Sequence, residues 1–336
     1  MNSLGDFLKA ANADFRIFDL GRRVQPIDTK TFERFESSLL PYPYPTQGHA
    51  HIGIAFWNHE NDIFLWFLKL PLDEQGLIVH AARQQFLMHV IDRLGNNPTG
   101  EITQEEQESL ADSPFVFKPT QEKIASIHAQ LSHSLHQPES AHKQNALAYF
   151  HAPNDNDWQE LPLQGIADVC SDLNPTNAEI VTTAVPLFPL PVLHVLCSQL
   201  EHIMLPDNIA AALYQRLESS DNQEERLSCF RGLAGHLIYS QTSVDLMLKE
   251  SICLDTLTIV ASRHWLALAH KPTREIFLNL IAKQDSHIFK TIFTDLVSLP
   301  ILRHEILKDI QQETVDSALG KAIYQLNLEL SQAARK

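Results

Sequence analysis

Seventeen histidines and four cysteines give this chain its widest scope for chemistry. His49-Ala-His51 places two imidazoles on one face of an extended segment, a spacing that can chelate, but no third ligand accompanies them. His128, His133, His136, His142 and His151 gather in an acidic, polar tract. Only His133 and His136 share a helical face, so these imidazoles read as exposed polar groups. Cys170, Cys197, Cys229 and Cys253 follow no zinc or redox spacing and lie in apolar helical runs, where buried reduced thiols are expected. Asn154-Asp155-Asn156-Asp157 opens like a calcium loop without the glycine and twelfth-position glutamate that such a loop needs. Asp155 or Asp157 fits better as a helix cap. Phosphate-cradling glycine loops, a His-Glu-x-x-His helix and a Gly-x-Ser-x-Gly elbow do not occur, and Gly232 and Gly235 read as small helical residues. On this reading no catalytic residue, metal ligand or cofactor is assigned.

Residue types suited to binding are concentrated near the N-terminus. In Leu40–Gln47 (LPYPYPTQ), Tyr42 and Tyr44 alternate with three prolines, which fix φ and remove donors, so an extended stiff loop is expected. Tyrosines on a stiff backbone lose little entropy on binding. Arg22, Arg23, Lys69, Asp73 and Glu74 are the candidate polar groups close to the aromatic strands, with Trp66 among the aromatics.

The elements that must position these groups fall into two regimes. Seven of eleven glycines and nine of seventeen phenylalanines lie in the first 100 residues. A short helix is expected at 3–11, extended segments at 15–20 and 22–27, and a helix at 29–39. The clearest strands are 51–57 and 63–70, joined by a hairpin-length loop. IFLWFLKL is apolar on both faces, which predicts cover on each side. A helix is expected over 74–94, then a linker over 95–120, and helices at 121–135 and 144–151. From Trp158 onward helix follows helix, with 224–239 read as one continuous helix. The breaks define paired units of roughly 33–37 residues, the regime of stacked α-hairpin repeats. The predicted fold is therefore an α+β domain over 1–96 (a small antiparallel sheet with helices), an acidic helical linker over 97–155, and an all-α region over 156–336. That last region reads as HEAT-like stacked hairpins, with a helical bundle as the alternative.

The net charge is −15, and residues 101–176 carry twelve acidic against three basic groups. Such a field repels phosphate backbones and anionic lipid, so neither nucleic acid nor membrane is expected as a partner. The N-terminus has no signal-peptide pattern, which points to the cytoplasm.

The phrases FRIFDLGRRVQPI (Phe15–Ile27), PYPYPTQGHAHIGIAFWN (Pro41–Asn58) and FLWFLKLPLDEQGL (Phe64–Leu77) resemble an uncharacterised gammaproteobacterial family of unknown function. The resemblance implies a bacterial cytoplasmic protein and carries over no reaction or ligand. The residues favour a non-enzymatic interaction or scaffold protein that binds a protein partner, a basic one by charge, through the helical array. The alternative is an enzyme or small-ligand protein with its site in the N-terminal domain or at the domain junction. Self-association through the strand pair is a third expectation.

Overall fold

The computed structural model describes residues 3–58, 63–94, 110, 112–153 and 157–333. The hairpin tip at 59–62, most of the expected linker and Asn154–Asn156 lie outside the described residues.

Helix α1 (Leu4–Ala10) is capped by the Ser3 side chain. Strands β1 (Asp14–Asp19) and β2 (Gln25–Ile27) follow, then α2 (Thr29–Glu36), capped by Asp28. β3 (His49–Trp57) and β4 (Ile63–Pro71) complete an antiparallel sheet of order β2-β1-β3-β4. The register pairs Ile17 with Ile54 and Ile54 with Trp66. One face therefore collects Ile17, Ile52, Ile54, Phe56, Leu68 and Leu70, all buried, together with Phe64 and Trp66. Phe7 of α1, Phe32 and Phe35 of α2, and Phe86 of α3 (His80–Leu94) close that core. On the other face Ile63, Leu65 and Phe67 are half-buried, and Phe67 packs against Phe117. The free edge of β4 is blunted by residues 115–117: Lys69 N–H donates to Phe115 O (2.7 Å) and Phe117 N–H to Phe67 O (3.0 Å).

The helix expected from residue 74 starts only at His80. Asp73 Oδ1 accepts from the backbone N–H groups of Gln75 and Leu77, both at 2.8 Å, and Gly76 takes φ +80°. This Asp-capped turn outcompetes helix initiation at Glu74.

Helices α4 (Gln121–Ser134) through α13 form a compact unit over 120–281. The others are α5 (Ala141–His151), α6 (Leu163–Ser171), α7 (Pro175–Ala184), α8 (Leu190–Leu200), α9 (Asp207–Ser219), α10 (Gln223–Gly232), α11 (Leu237–Glu250), α12 (Leu254–Arg263) and α13 (Lys271–Ile281). Each helix packs on the one two places along. One layer runs α4-α6-α8-α10-α12 and the other α5-α7-α9-α11-α13. That is the arrangement of stacked hairpins. The continuous helix expected over 224–239 is broken by a 3₁₀ turn at Leu233–Gly235. Gly235 is pressed against the loop after α8, where a Cβ would lie 1.9 Å from Ile203 O. Cys170, Cys197 and Cys229 are buried, but Cys253 is the N-cap of α12, its sulfur accepting from Thr256 N–H at 3.4 Å. Asp157 caps the 3₁₀ turn at Trp158–Glu160.

Compactness divides the chain differently from composition. Residues 282–336 group with 1–119 as the second compact unit. Helix α14 (Ser286–Ser298) supplies Asp295, whose carboxylate pairs with Arg22 (2.7 Å) and accepts from Gln47 N–H (3.0 Å). Helix α15 (Pro300–Gln312) supplies Arg303, which donates to Gln75 O, and α16 (Ala318–Ala333) packs on α14. Helical periodicity is blind to such sequence-distant ties.

The β1–β2 turn centres on Asp19, a carboxylate with no exposed surface. It accepts from Tyr42 Oη–H (2.8 Å) and from the N–H groups of Gly21 and Arg22 (both 3.2 Å). Tyr42→Phe removes the shortest of these donors, and a hydrogen bond to a buried charge contributes about 2 kcal/mol. Urea unfolding monitored by fluorescence is expected to show a loss of that size.

Candidate functional site

A largely apolar depression lies on one layer of the array. It is a groove of about 710 Å³ lined by α8, α10 and α12. Ligand pockets span roughly 300–1,000 Å³. Helix α10 gives Glu224, Leu227, Ser228 and Arg231 at helical spacing; α12 gives Asp255, Thr258, Ile259, Ser262 and Arg263; α8 gives Leu190, Pro191, His194 and Val195. Val195, Leu227 and Ile259 are half-buried and stand 32 residues apart, one per hairpin. Glu224 and Asp255 are exposed in the first turns of their helices, where they also oppose the helix dipoles favourably. Arg231 and Arg263 close the other end, two turns and about 10 Å along at 1.5 Å per residue.

The basic end is built on Glu201, which follows α8 and has a fully buried side chain. Arg231 binds it bidentately through Nε and Nη2, the latter at 2.8 Å, and Arg263 Nε lies 2.9 Å from Oε2. Burial alone would raise the Glu201 carboxyl. The charges of Arg263 and Arg231 outweigh it and hold it at about 2. His202 beside it is pushed down to about 3 by burial, with Arg263, Lys123 and Arg231 acting in the same direction against Glu201. It is therefore neutral near pH 7, and its 3.6 Å approach to Glu201 is not an ion pair. Both arginine side chains keep part of their surface exposed, 26% and 17%.

Ser228 and His194 sit 3.3 Å apart and superficially match a nucleophile and its base. The Ser228 hydroxyl proton is donated to Glu224 O at 2.8 Å. His194 Nδ1 must then donate to Ser228 rather than accept from it, which leaves the serine without a base. This arrangement holds a helix surface in shape. Among the described residues no group of three or more His, Cys, Asp or Glu side chains could hold a metal ion. The His49 and His51 rings stand 6.2 Å apart, and His49 Nδ1 is engaged by Gln47 O at 2.8 Å.

The residues singled out from sequence are dispersed. Tyr42 is wholly buried, so it cannot offer a contact surface, and Tyr44 is half-buried with its ring edge-on to Tyr42 at 6.4 Å. Arg22 is buried and spans Pro45 O (2.9 Å) and Asp295. Arg23 is half-buried beside Tyr44. Trp66 packs between Phe56 (4.6 Å) and Phe86 (5.9 Å). Lys69 stands on the opposite face of the sheet, paired in register with His51. Asp73 and Glu74 line a larger hollow of about 950 Å³ with Gln47, Lys290, Asp295 and Arg303. Its Asp295 and Arg303 are consumed by internal bonds, Arg303 Nε donating to Val297 O at 3.0 Å. That hollow is a weaker candidate than the groove. The groove residues carry no motif. Their one sequence signal is the acidic–apolar–arginine order at Glu224, Leu227, Arg231 and again at Asp255, Ile259, Arg263.

The family model described as "Protein of unknown function (DUF3549)" matches residues 1–327. The chain belongs to this family. No curated protein and no solved structure matches it significantly. No helix of the described DUF3549 chain is long and apolar enough to cross a membrane.

Two outcomes test the buried centre. Glu201→Ala leaves two adjacent guanidinium groups facing each other and is expected to cost about 3 kcal/mol, the lower end for a broken buried pair because both arginines reach water. Chemical denaturation measures it. The pH dependence has a definite sign. His202 is held at about 3 in the fold against an ordinary 6.5, so the unfolded chain takes its proton first as pH falls. Stability is complete above about 6.5 and is lost from there toward 3. Glu201 adds a second loss from its ordinary 4.5 toward 2. His202→Gln is expected to remove a slope of about 1.4 kcal/mol per pH unit between pH 6 and 5. Equal slopes in the two proteins would sink the assignment.

Proposed function

We propose that this family member is a non-enzymatic interaction protein of the gammaproteobacterial cytoplasm that binds a polypeptide partner in the α8–α10–α12 groove. The observation that carries this reading is the repetition of one lining pattern on two successive hairpins, at α10 and α12: acidic first turn, half-buried aliphatic centre, arginine at the end. Repeat arrays present such stripes as extended binding surfaces, HEAT-like arrays among them. Aliphatic side chains at the centre with charges at the rim match the anatomy of a protein interface. The chain's net charge of −15 favours partners of net positive charge, mainly by speeding encounter.

One observation favours a second reading. The groove's volume also suits a drug-sized anion, with Arg231 and Arg263 as its polar anchors. A single pair of proteins separates the two. Crosslinked affinity purification from native lysate is expected to recover a polypeptide with the native chain and to lose at least about 90% of it with Leu227→Gln/Ile259→Gln. Equal recovery on both removes the groove from the function. A metabolite that raises the melting temperature of the native chain alone, with no polypeptide recovered, selects the small-ligand reading.

A further inference from the structure

We infer that the groove selects an amphipathic helical segment of fixed charge order: an acidic side chain, an apolar pair three and four residues on, and a basic side chain at the seventh. This inference rests on the reading of the groove as a polypeptide site and deepens it. Three observations fix the pattern.

The first is the geometry of the lining. Helix α10 is the floor, and α8 and α12 both pack on it, so the groove follows the α10 axis. A groove between helical ridges accepts another helix, read through residues at i, i+3, i+4 and i+7. The α10 lining repeats that spacing with Glu224, Leu227, Ser228 and Arg231.

The second is the separation of charge. Glu224 and Asp255 make one end anionic, and Arg231 and Arg263 make the other cationic, with Leu227, Ile259 and Val195 between them. The arginines are not cancelled by Glu201, because two guanidinium groups share one carboxylate. That carboxylate holds both in place from beneath, so an incoming anion meets donors that are already oriented.

The third is direction. An isolated helix is stabilised by acidic residues in its first turn and basic residues in its last. A segment that satisfies both its own dipole and the groove must place its first turn at Arg231 and Arg263. Its last turn then lies at Glu224 and Asp255, and it runs antiparallel to α10. The opposite order would set the segment's charges against its own dipole. Acid first, base last is therefore the order selected.

Panning a random 16-residue peptide display library against the intact protein tests this, with Leu227→Gln/Ile259→Gln as the groove control. The expected result is enrichment of helix-forming peptides with Asp or Glu at i, aliphatic residues at i+3 and i+4, and Lys or Arg at i+7. Binding of these peptides is expected to be about tenfold weaker to the groove control. A second variant, Glu224→Lys/Asp255→Lys, leaves the Glu201 centre intact; the basic residue at i+7 is expected to vanish or invert to an acidic one. Groove-dependent peptides without charge order, in the reverse order, or unchanged on the lysine variant would overturn the inference and leave the polypeptide reading standing. Failure to enrich any peptide that discriminates the groove control would overturn both.

Discussion

A carboxylate stripped of water costs several kcal/mol unless its surroundings return the loss through charge and hydrogen bonds. Glu201 meets that condition with two arginines from the two following helices of its own layer. The constraint reaches well beyond the ion triad. The three partners sit at the C-terminal ends of α8, α10 and α12, so the triad sets how those ends lie against one another. Gly232, one residue after Arg231, lets α10 approach α8 until a Cβ there would touch Cys197 Sγ at 3.0 Å. A larger residue at that position would lift Arg231 away from Glu201. The shape of the groove and the direction of its arginines are consequences of one buried charge and one close helix contact.

The unit that holds the sheet uses the same solution twice. Asp19 gathers a tyrosine hydroxyl and two turn amides. Glu36 accepts from Leu4 N–H (2.7 Å) and Gly5 N–H (3.0 Å), donors that a helix start leaves without internal partners. Burial raises the Glu36 carboxyl despite these bonds. In each unit a buried acid collects donors from segments far apart in sequence. The acids thus act as clasps between elements, and their side chains are spent on the fold.

This explains which features could be read from the chain alone. Strands β3 and β4 and most helix positions follow from periodicity, because burial of one face imprints itself locally on sequence. The Asp73 turn was hidden because one side-chain oxygen reverses what the following apolar stripe suggests. The break at Gly235 was hidden because its cause is the carbonyl of Ile203, on another hairpin. The groove went unread in the sequence for a related reason. Tyr42 and Arg22 stood out as chemically capable groups near aromatic strands, yet their capability is consumed inside the core. Glu224, Leu227 and Arg231 look ordinary in a helical sequence. They line a common groove only when α8 and α12 lie alongside, and no spacing within one helix records that.

The charge of the whole chain and the charge of the groove also operate at different ranges. At physiological salt a field decays over about 8 Å, so the acidic excess around residues 101–176 acts on encounter and orientation at a distance. Within the groove the two charged ends lie about 10 Å apart along α10. Water and ions screen them from each other while the groove is empty. A bound segment that covers Leu227 and Ile259 excludes that solvent, and each end then interacts strongly with whatever charge is placed upon it. Net acidity alone would favour a basic partner, whereas the helix we propose for the groove carries both signs in order. The two demands are compatible, since a protein of net positive charge can present an acidic residue at the head of one helix. In the binding we propose, long-range attraction would bring such a partner near, and the arginines fixed on Glu201 would determine which end of its helix is seated there.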